Sequence, residues 1–99
     1  MINDEKLQNA RKEINEVDRE MAELFVRRMK AVEAVAEYKM ERNLPIYDGT
    51  REKEILAKNS LLVADDKLRE YYTDFLFNMM EISKEYQAKL LNRKSLTEV

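Results

Sequence analysis

Apolar residues recur from Leu7 to about Met40 with the spacing of a helix that packs along one side. Counted in heptads, they fall on two seams. The first seam is Leu7, Ile14, Met21, Arg28 and Val35, and the second is Ala10, Val17, Leu24, Ala31 and Tyr38. The pattern meets no glycine or proline before Pro45, so it predicts one long helix over about residues 4 to 42.

The two ends of this helix carry sequence signals. Asn3 or Asp4 is the expected N-cap, because a short polar side chain can accept hydrogen bonds from the first free N–H groups. Leu44 and Pro45 are expected to stop the helix, since proline disfavours the α conformation in the residue before it. A turn is therefore expected after the long helix.

Two shorter helices are predicted after the turn. Asp48 is the expected N-cap of the second helix, over about residues 49 to 59, and Asp65 or Asp66 of the third, over about residues 66 to 92. The apolar side of the third helix consists of Leu68, Tyr72, Phe75, Leu76, Met79, Ile82, Tyr86 and Leu90. The sequence thus predicts an all-α fold with three helices per chain, one of them very long.

The length of the first helix predicts that two copies of the chain associate. About 37 residues at ~1.5 Å each give a rod of roughly 55 Å. A compact domain of 99 residues has a radius of gyration of only about 13 Å. Two shorter helices cannot cover so long an apolar seam, so we expect an intertwined homodimer. A monomeric hairpin with a frayed end is the alternative.

Composition and charge narrow the function classes. The 99 residues suffice for a single domain, and 38% charged residues with one glycine and one proline are typical of long helices. A formal charge of -2, with basic and acidic residues interleaved, disfavours a nucleic-acid or membrane partner. No apolar run approaches the ~20 residues of a membrane span, and the amino terminus has no apolar signal segment. We therefore expect a cytoplasmic protein.

The chain contains neither cysteine nor histidine. Disulfides and thiolate chemistry are excluded, and the usual general base and the commonest metal ligand are missing. Any chemistry must work without these groups.

Arg28 occupies a seam position that should be apolar. Buried without a partner it would cost several kcal/mol, so it must extend to water, pair with a carboxylate or bind an anionic ligand. From position alone, the first two outcomes are the more common. Lys39 follows eleven residues later, within about 20° of Arg28 around the helix. With Arg11 and Arg51, these cations form a set that could converge.

Two polar residues interrupt the apolar side of the third helix. Ser83 and Gln87 are four residues apart and hence on one face, and Ser83 takes the heptad position held elsewhere by Leu76 and Leu90. A single residue of this kind most often fills a gap or marks a boundary. The first helix nevertheless supplies cations and the third supplies neutral hydrogen-bond donors. Together they favour a pocket that excludes water and binds a small polyanion.

In order and spacing, these residues resemble the all-helical class of chorismate mutase in its stand-alone, monofunctional form. The likeness extends from about residue 5 to 92. It is carried by Arg11, Arg28, Lys39, Asp48, Arg51, Glu52, Ser83 and Gln87. The resemblance implies two interlaced three-helix chains that convert chorismate to prephenate for phenylalanine and tyrosine synthesis. This is a Claisen rearrangement, which needs no metal, cofactor or covalent intermediate.

The resemblance also implies a catalytic set of Arg28, Lys39 and Gln87. Arg28, with Arg11 from the partner chain, would clamp the two substrate carboxylates, which guanidinium groups match bidentately. Lys39 and Gln87 would donate hydrogen bonds to the ether oxygen as charge develops on it.

The remaining residues would bind the ring end of the substrate. Glu52, with the backbone near Asp48, would hold the ring hydroxyl, Ser83 would assist a carboxylate, and Arg51 would support the ring. Gly49, directly after Asp48, is expected to loosen the turn that aims Arg51 and Glu52.

Two other functions remain open from the sequence. An isochorismate pyruvate-lyase shares this scaffold and takes a related enolpyruvyl dianion, so product identity separates it from a mutase. A non-catalytic helical dimerisation module would tolerate replacement of Arg28, Lys39 and Gln87 without functional consequence.

Overall fold

The computed structural model describes the backbone of residues 2–98 and the side chains of residues 4–92. The described backbone forms α1 (Ile2–Glu41), α2 (Gly49–Asn59), a 3₁₀ turn (Ser60–Leu62) and α3 (Asp66–Glu98). The predicted all-α class with three helices is confirmed over this range. None of the described helices combines the length and the hydropathy of a bilayer-spanning segment. The chain divides into two compact units, Met1–Ala31 and Val32–Val99.

The first unit is the N-terminal part of α1. Its helix starts at Ile2, so Asn3 and Asp4 lie inside the first turn and the prediction that one of them caps the helix is wrong. Asp4 and Glu5 instead place negative charge near the positive end of the helix dipole. The apolar seam side chains are between 41% and 57% exposed in the single chain: Leu7, Ile14, Val17, Met21 and Leu24.

The second unit consists of the C-terminal part of α1 with α2, the 3₁₀ turn and α3. Its buried apolar side chains are Ala36 from α1 and Leu76 and Met80 from α3. The hydroxyl of Tyr86 on α3 donates a hydrogen bond to the carboxylate of Glu33 on α1. This hydrogen bond links α3 to the C-terminal part of α1.

Part of the predicted apolar side of α3 remains exposed. Leu68 is 56% exposed, Phe75 49% and Ile82 46%. Leu76, one helical step beyond Phe75, is buried. The buried stripe of α3 is therefore narrower than the apolar pattern predicts.

Helix α1 ends in a Schellman motif. Asn43 adopts a left-handed conformation with φ 54°. The Leu44 N–H donates to the Lys39 carbonyl at 2.8 Å, and the Asn43 N–H donates to the Met40 carbonyl at 3.3 Å. The helix ends at Glu41, just before the predicted limit near residue 42. The stop thus begins at Asn43, ahead of the predicted Leu44-Pro45 signal.

Aspartate caps the other two helices. The Asp48 carboxylate accepts a hydrogen bond from the Arg51 N–H at 3.1 Å, which confirms the predicted cap of α2. Of the two alternatives for α3, Asp65 is the cap, since its side chain accepts from the Lys67 N–H at 2.9 Å. Helix α3 continues to Glu98, past the predicted end near residue 92.

Candidate active site

The second unit contains most of the predicted site residues. These are Lys39, Asp48, Arg51, Glu52, Ser83 and Gln87. The first unit contains Arg11, which is exposed, and Arg28, which is half-buried. The proposed use of both arginines at a shared site stays a prediction.

Two hydrogen bonds, one from the side chain and one to the backbone carbonyl, link Lys39 to the segment between α1 and α2. Its Nζ donates to the Ile46 carbonyl at 2.9 Å, and its own carbonyl accepts the Leu44 N–H. An ammonium group has three N–H donors, and the Ile46 carbonyl accepts one of them. The Lys39 charge is therefore held in place with donor capacity left for an anion.

Gln87 and Ser83 are the polar residues buried in the described part of the chain. Gln87 is 8% exposed, and its Oε1 has no hydrogen-bond partner among the described residues. Ser83 is 5% exposed, and its Oγ donates to the Met79 carbonyl one turn earlier at 2.9 Å.

The free amide oxygen of Gln87 has an energetic cost. An unsatisfied buried polar atom typically costs about 1–3 kcal/mol. A 180° rotation of the amide exchanges Oε1 and Nε2, so the same position can offer a donor to a ligand acceptor. Gln87 thus offers a ligand an unsatisfied hydrogen-bonding atom, which a buried residue with a purely structural role seldom does.

The start of α2 is fixed by backbone bonds. Besides the Asp48 cap, the Glu52 N–H donates to the Asp48 carbonyl at 3.0 Å. Gly49 has no positive φ and is the first residue of α2. The turn that carries Arg51 and Glu52 is closed by hydrogen bonds, and the loosening expected from Gly49 stays a prediction.

Gly49 has a different role, because its missing side chain makes room for Tyr47. A Cβ atom at position 49 would lie 2.8 Å from the Tyr47 hydroxyl oxygen and 3.2 Å from the ring carbon that bears it. The ring of Tyr47 therefore lies directly over the first residue of α2.

Lys84 joins α3 to this region. Its Nζ lies 3.0 Å from Glu52 Oε1, 2.6 Å from Glu81 Oε1 and 4.9 Å from the centre of the Tyr47 ring. Hydrogen bonds to Glu81 and then to Glu52 raise the pKa of Lys84 above its ordinary value. Lys84 is not among the site residues predicted from the sequence. The Glu81–Lys84 spacing is a sequence signal for a helical ion pair, but the contact with Glu52 depends on how α2 packs against α3.

A separate groove in the second unit is unsuited to an anion. It is lined by Glu33, Glu37, Met40, Glu41 and Leu90. Its carboxylates would repel a polyanion. Within the described residues, no group of three or more carboxylates is arranged to hold a metal ion.

The comparisons with known proteins agree on one family. The sequence profile named "Chorismate mutase type II" matches residues 10–88. A bifunctional chorismate mutase/prephenate dehydratase of Buchnera aphidicola subsp. Schizaphis graminum is 39% identical over 84 residues, which is 84% of this chain and 22% of that protein. Another with the same name, from Aquifex aeolicus, is 41% identical over 54 residues, covering 54% of this chain and 15% of that protein. The chain thus spans about a fifth of the length of such relatives. No solved structure matches it.

Proposed function

Because the chain belongs to the chorismate mutase type II family, we propose that it converts chorismate to prephenate. In this rearrangement a C–O bond of the substrate breaks as a C–C bond forms, with no proton shuttle and no covalent link to the protein. Catalysis has to come from holding the flexible dianion in its reactive conformation and from stabilising charge on the ether oxygen. Fixed cations and neutral donors suit both tasks.

The observation that most supports this proposal is the buried amide of Gln87. Buried amide oxygens are usually hydrogen-bonded to a neighbour, and Gln87 Oε1 has no such partner among the described residues. Gln87 would donate to the ether oxygen together with Lys39, whose ammonium group is held by the Ile46 carbonyl. Water is largely excluded around Gln87, so a hydrogen bond there would be stronger than in solvent.

Arg28 would bind one substrate carboxylate, and Arg11 of a second copy of the chain the other. The exposed apolar seam of α1 supports the second copy, because five large side chains there are 41–57% exposed: Leu7, Ile14, Val17, Met21 and Leu24. Burying apolar surface stabilises an interface by about 25 cal/mol per Å². A homodimer that shares its active sites accounts for both the seam and the arginines.

The ring end of the substrate would lie at the start of α2. Glu52 would accept the ring hydroxyl beside the backbone at Asp48, with Arg51 supporting the ring and Ser83 assisting a carboxylate. The Asp48 cap supports these roles because it holds the first turn of α2 in place.

We propose mutase activity alone for this chain, in the manner of a stand-alone enzyme. Every residue assigned above lies between residues 10 and 88, which the family profile matches. The relatives' names combine chorismate mutase with prephenate dehydratase in proteins of which this chain spans about a fifth. We expect the 99 residues to form prephenate without another domain.

Product identification tests the proposal. The purified chain is incubated separately with chorismate and with isochorismate, and products are separated by chromatography. We expect prephenate from chorismate and no pyruvate from isochorismate. Release of pyruvate from isochorismate, with chorismate untouched, would assign the lyase reaction instead. No turnover of either substrate by a folded chain would favour a helical dimerisation module.

A further inference from the structure

We propose that Lys84 is a positioning residue that orients Glu52 and offsets part of its charge, so that the site can accept a dianion while Glu52 binds the ring hydroxyl. This inference rests on the proposed function and extends it to a residue outside the predicted site. It follows from the packing of α3 against α2 and from the charges that this packing brings together.

The contact between Lys84 and Glu52 is a partly buried ion pair between two helices. Nζ and Oε1 are 3.0 Å apart, and the two side chains are 23% and 21% exposed. Lys84 follows Ser83 on α3, about 100° further round the helix. Helix α3 thus buries Ser83 on one side and presents Lys84 to α2 on another.

Two further groups hold the ammonium group in place. Glu81, three residues earlier on α3, lies 2.6 Å away through its Oε1. The ring of Tyr47 lies 4.9 Å from Nζ, at a distance where the negative face of an aromatic ring attracts a cation. Gly49 permits this arrangement, because a Cβ there would approach the Tyr47 hydroxyl to 2.8 Å.

The negative charge of Glu52 opposes binding of a dianion, and Lys84 reduces this repulsion. An ionised carboxylate close to a dianionic substrate repels it, and the repulsion grows as water is excluded. The ammonium group of Lys84 offsets this charge. It contacts Oε1, and a carboxylate has a second oxygen that can accept the ring hydroxyl. Glu81 shares the same ammonium group, so Lys84 offsets the Glu52 charge only in part. Glu52 thus remains a hydrogen-bond acceptor with a reduced negative charge.

Steady-state kinetics of four variants test this role. The variants are Lys84→Met, Lys84→Arg, Glu52→Gln and the Lys84→Met/Glu52→Gln double mutant, with Lys89→Met as a matched exposed lysine on α3. We expect Lys84→Met to raise KM for chorismate by roughly five- to twentyfold, with kcat changed less than about threefold. Lys84→Arg should restore most of the affinity, and Lys89→Met should match the parent.

The double mutant separates positioning from a purely structural role. In the parent, Glu52→Gln should raise KM, because an amide is a weaker acceptor of the ring hydroxyl than the Glu52 carboxylate. In the Lys84→Met background it should lower KM, because an unbalanced negative charge is removed. Additive effects of the same sign in both backgrounds would contradict the offset of charge by Lys84.

Tyr47 provides a second test that survives if Lys84→Met fails to fold. Tyr47 is 61% exposed, so its replacement leaves the buried core intact. Tyr47→Phe keeps the ring under Lys84 and should match the parent, whereas Tyr47→Leu should raise KM about two- to fivefold. An unchanged KM in Tyr47→Leu, or in a folded Lys84→Met, would overturn the role of Lys84. The proposed mutase function would still stand if the parent is active. An inactive parent would overturn both.

Discussion

The ammonium group of Lys39 donates a hydrogen bond to the carbonyl oxygen of Ile46, 2.9 Å away. The backbone carbonyl of the same lysine accepts the N–H of Leu44. The position of the Lys39 charge therefore depends on the path of the chain between α1 and α2. That path is set by the left-handed conformation of Asn43.

Asn43→Ala should destabilise the protein by about 1 kcal/mol, because alanine pays a steric cost in the left-handed region that asparagine largely avoids. Asn43→Gly is the control and should unfold close to the parent, since glycine adopts this conformation freely. Urea unfolding followed by circular dichroism, at one fixed protein concentration, measures the difference. Equal midpoints for the alanine and glycine variants would contradict the helix-stop assignment.

Gln87→Glu should be active only at acidic pH. Gln87 is 8% exposed, and burial raises the pKa of an introduced carboxyl group because it disfavours the charged form. The protonated carboxyl can donate to the ether oxygen as the amide does, whereas the carboxylate cannot. A pH profile of kcat/KM should rise towards low pH in the variant and stay flat in the parent. Full activity of the variant at neutral pH would remove Gln87 from its assigned role.

The stability that Lys84 contributes should persist through neutral pH and disappear only in strong alkali. Hydrogen bonds to Glu81 and Glu52 raise the pKa of Lys84 in the folded state. A lysine whose pKa is raised in the folded state stabilises the fold fully at pH values below its unfolded pKa of about 10.4. This stabilisation is lost once the pH exceeds the folded pKa. The gap in melting temperature between parent and Lys84→Met should be constant from about pH 7 to 9 and close as the pH rises through the folded pKa. A gap that closes below about pH 9 would contradict this account.

Ile14→Lys should weaken association of the chain. Ile14 is 57% exposed in the single chain, on the apolar seam of α1, and a charge there cannot be buried against a second copy without a large cost. Glu13→Lys, with the same new side chain one position away and off the seam, is the matched control. Sedimentation velocity should show a dimer for the parent and control and monomer for Ile14→Lys. A monomeric parent would refute the dimer.

The local signals in the sequence predict much of the fold. The all-α class and the Asp48 cap follow from periodicity and from side-chain hydrogen bonding within one turn. Asn43 lies directly before Leu44-Pro45 and is a residue type that tolerates the left-handed conformation, so the sequence also contains this stop signal. The expected end of α3 near residue 92 has no stop signal in the sequence, since neither glycine nor proline follows Gly49.

Tertiary packing explains what sequence reasoning missed at the candidate site. Ser83 and Gln87 share a face through helical spacing alone, which a sequence shows. The Lys84–Glu52 pair depends on how α2 meets α3, which no local pattern encodes. The position of Tyr47 over Gly49 depends on the path of the chain just before α2. The expectation about Gly49 considered its intrinsic freedom alone, whereas the structure places it between the Asp48 cap and the Tyr47 ring.

The most direct test of the account is chorismate turnover by the parent beside Lys39→Ala, with Lys89→Ala as a matched surface control. Losing one fixed donor at a developing charge typically costs about 100- to 1,000-fold in rate. We predict that the parent and Lys89→Ala form prephenate equally well, and that a folded Lys39→Ala loses at least about 100-fold in kcat/KM. Parent-level prephenate formation by Lys39→Ala would contradict the central claim that a cation held at the end of α1 drives the rearrangement.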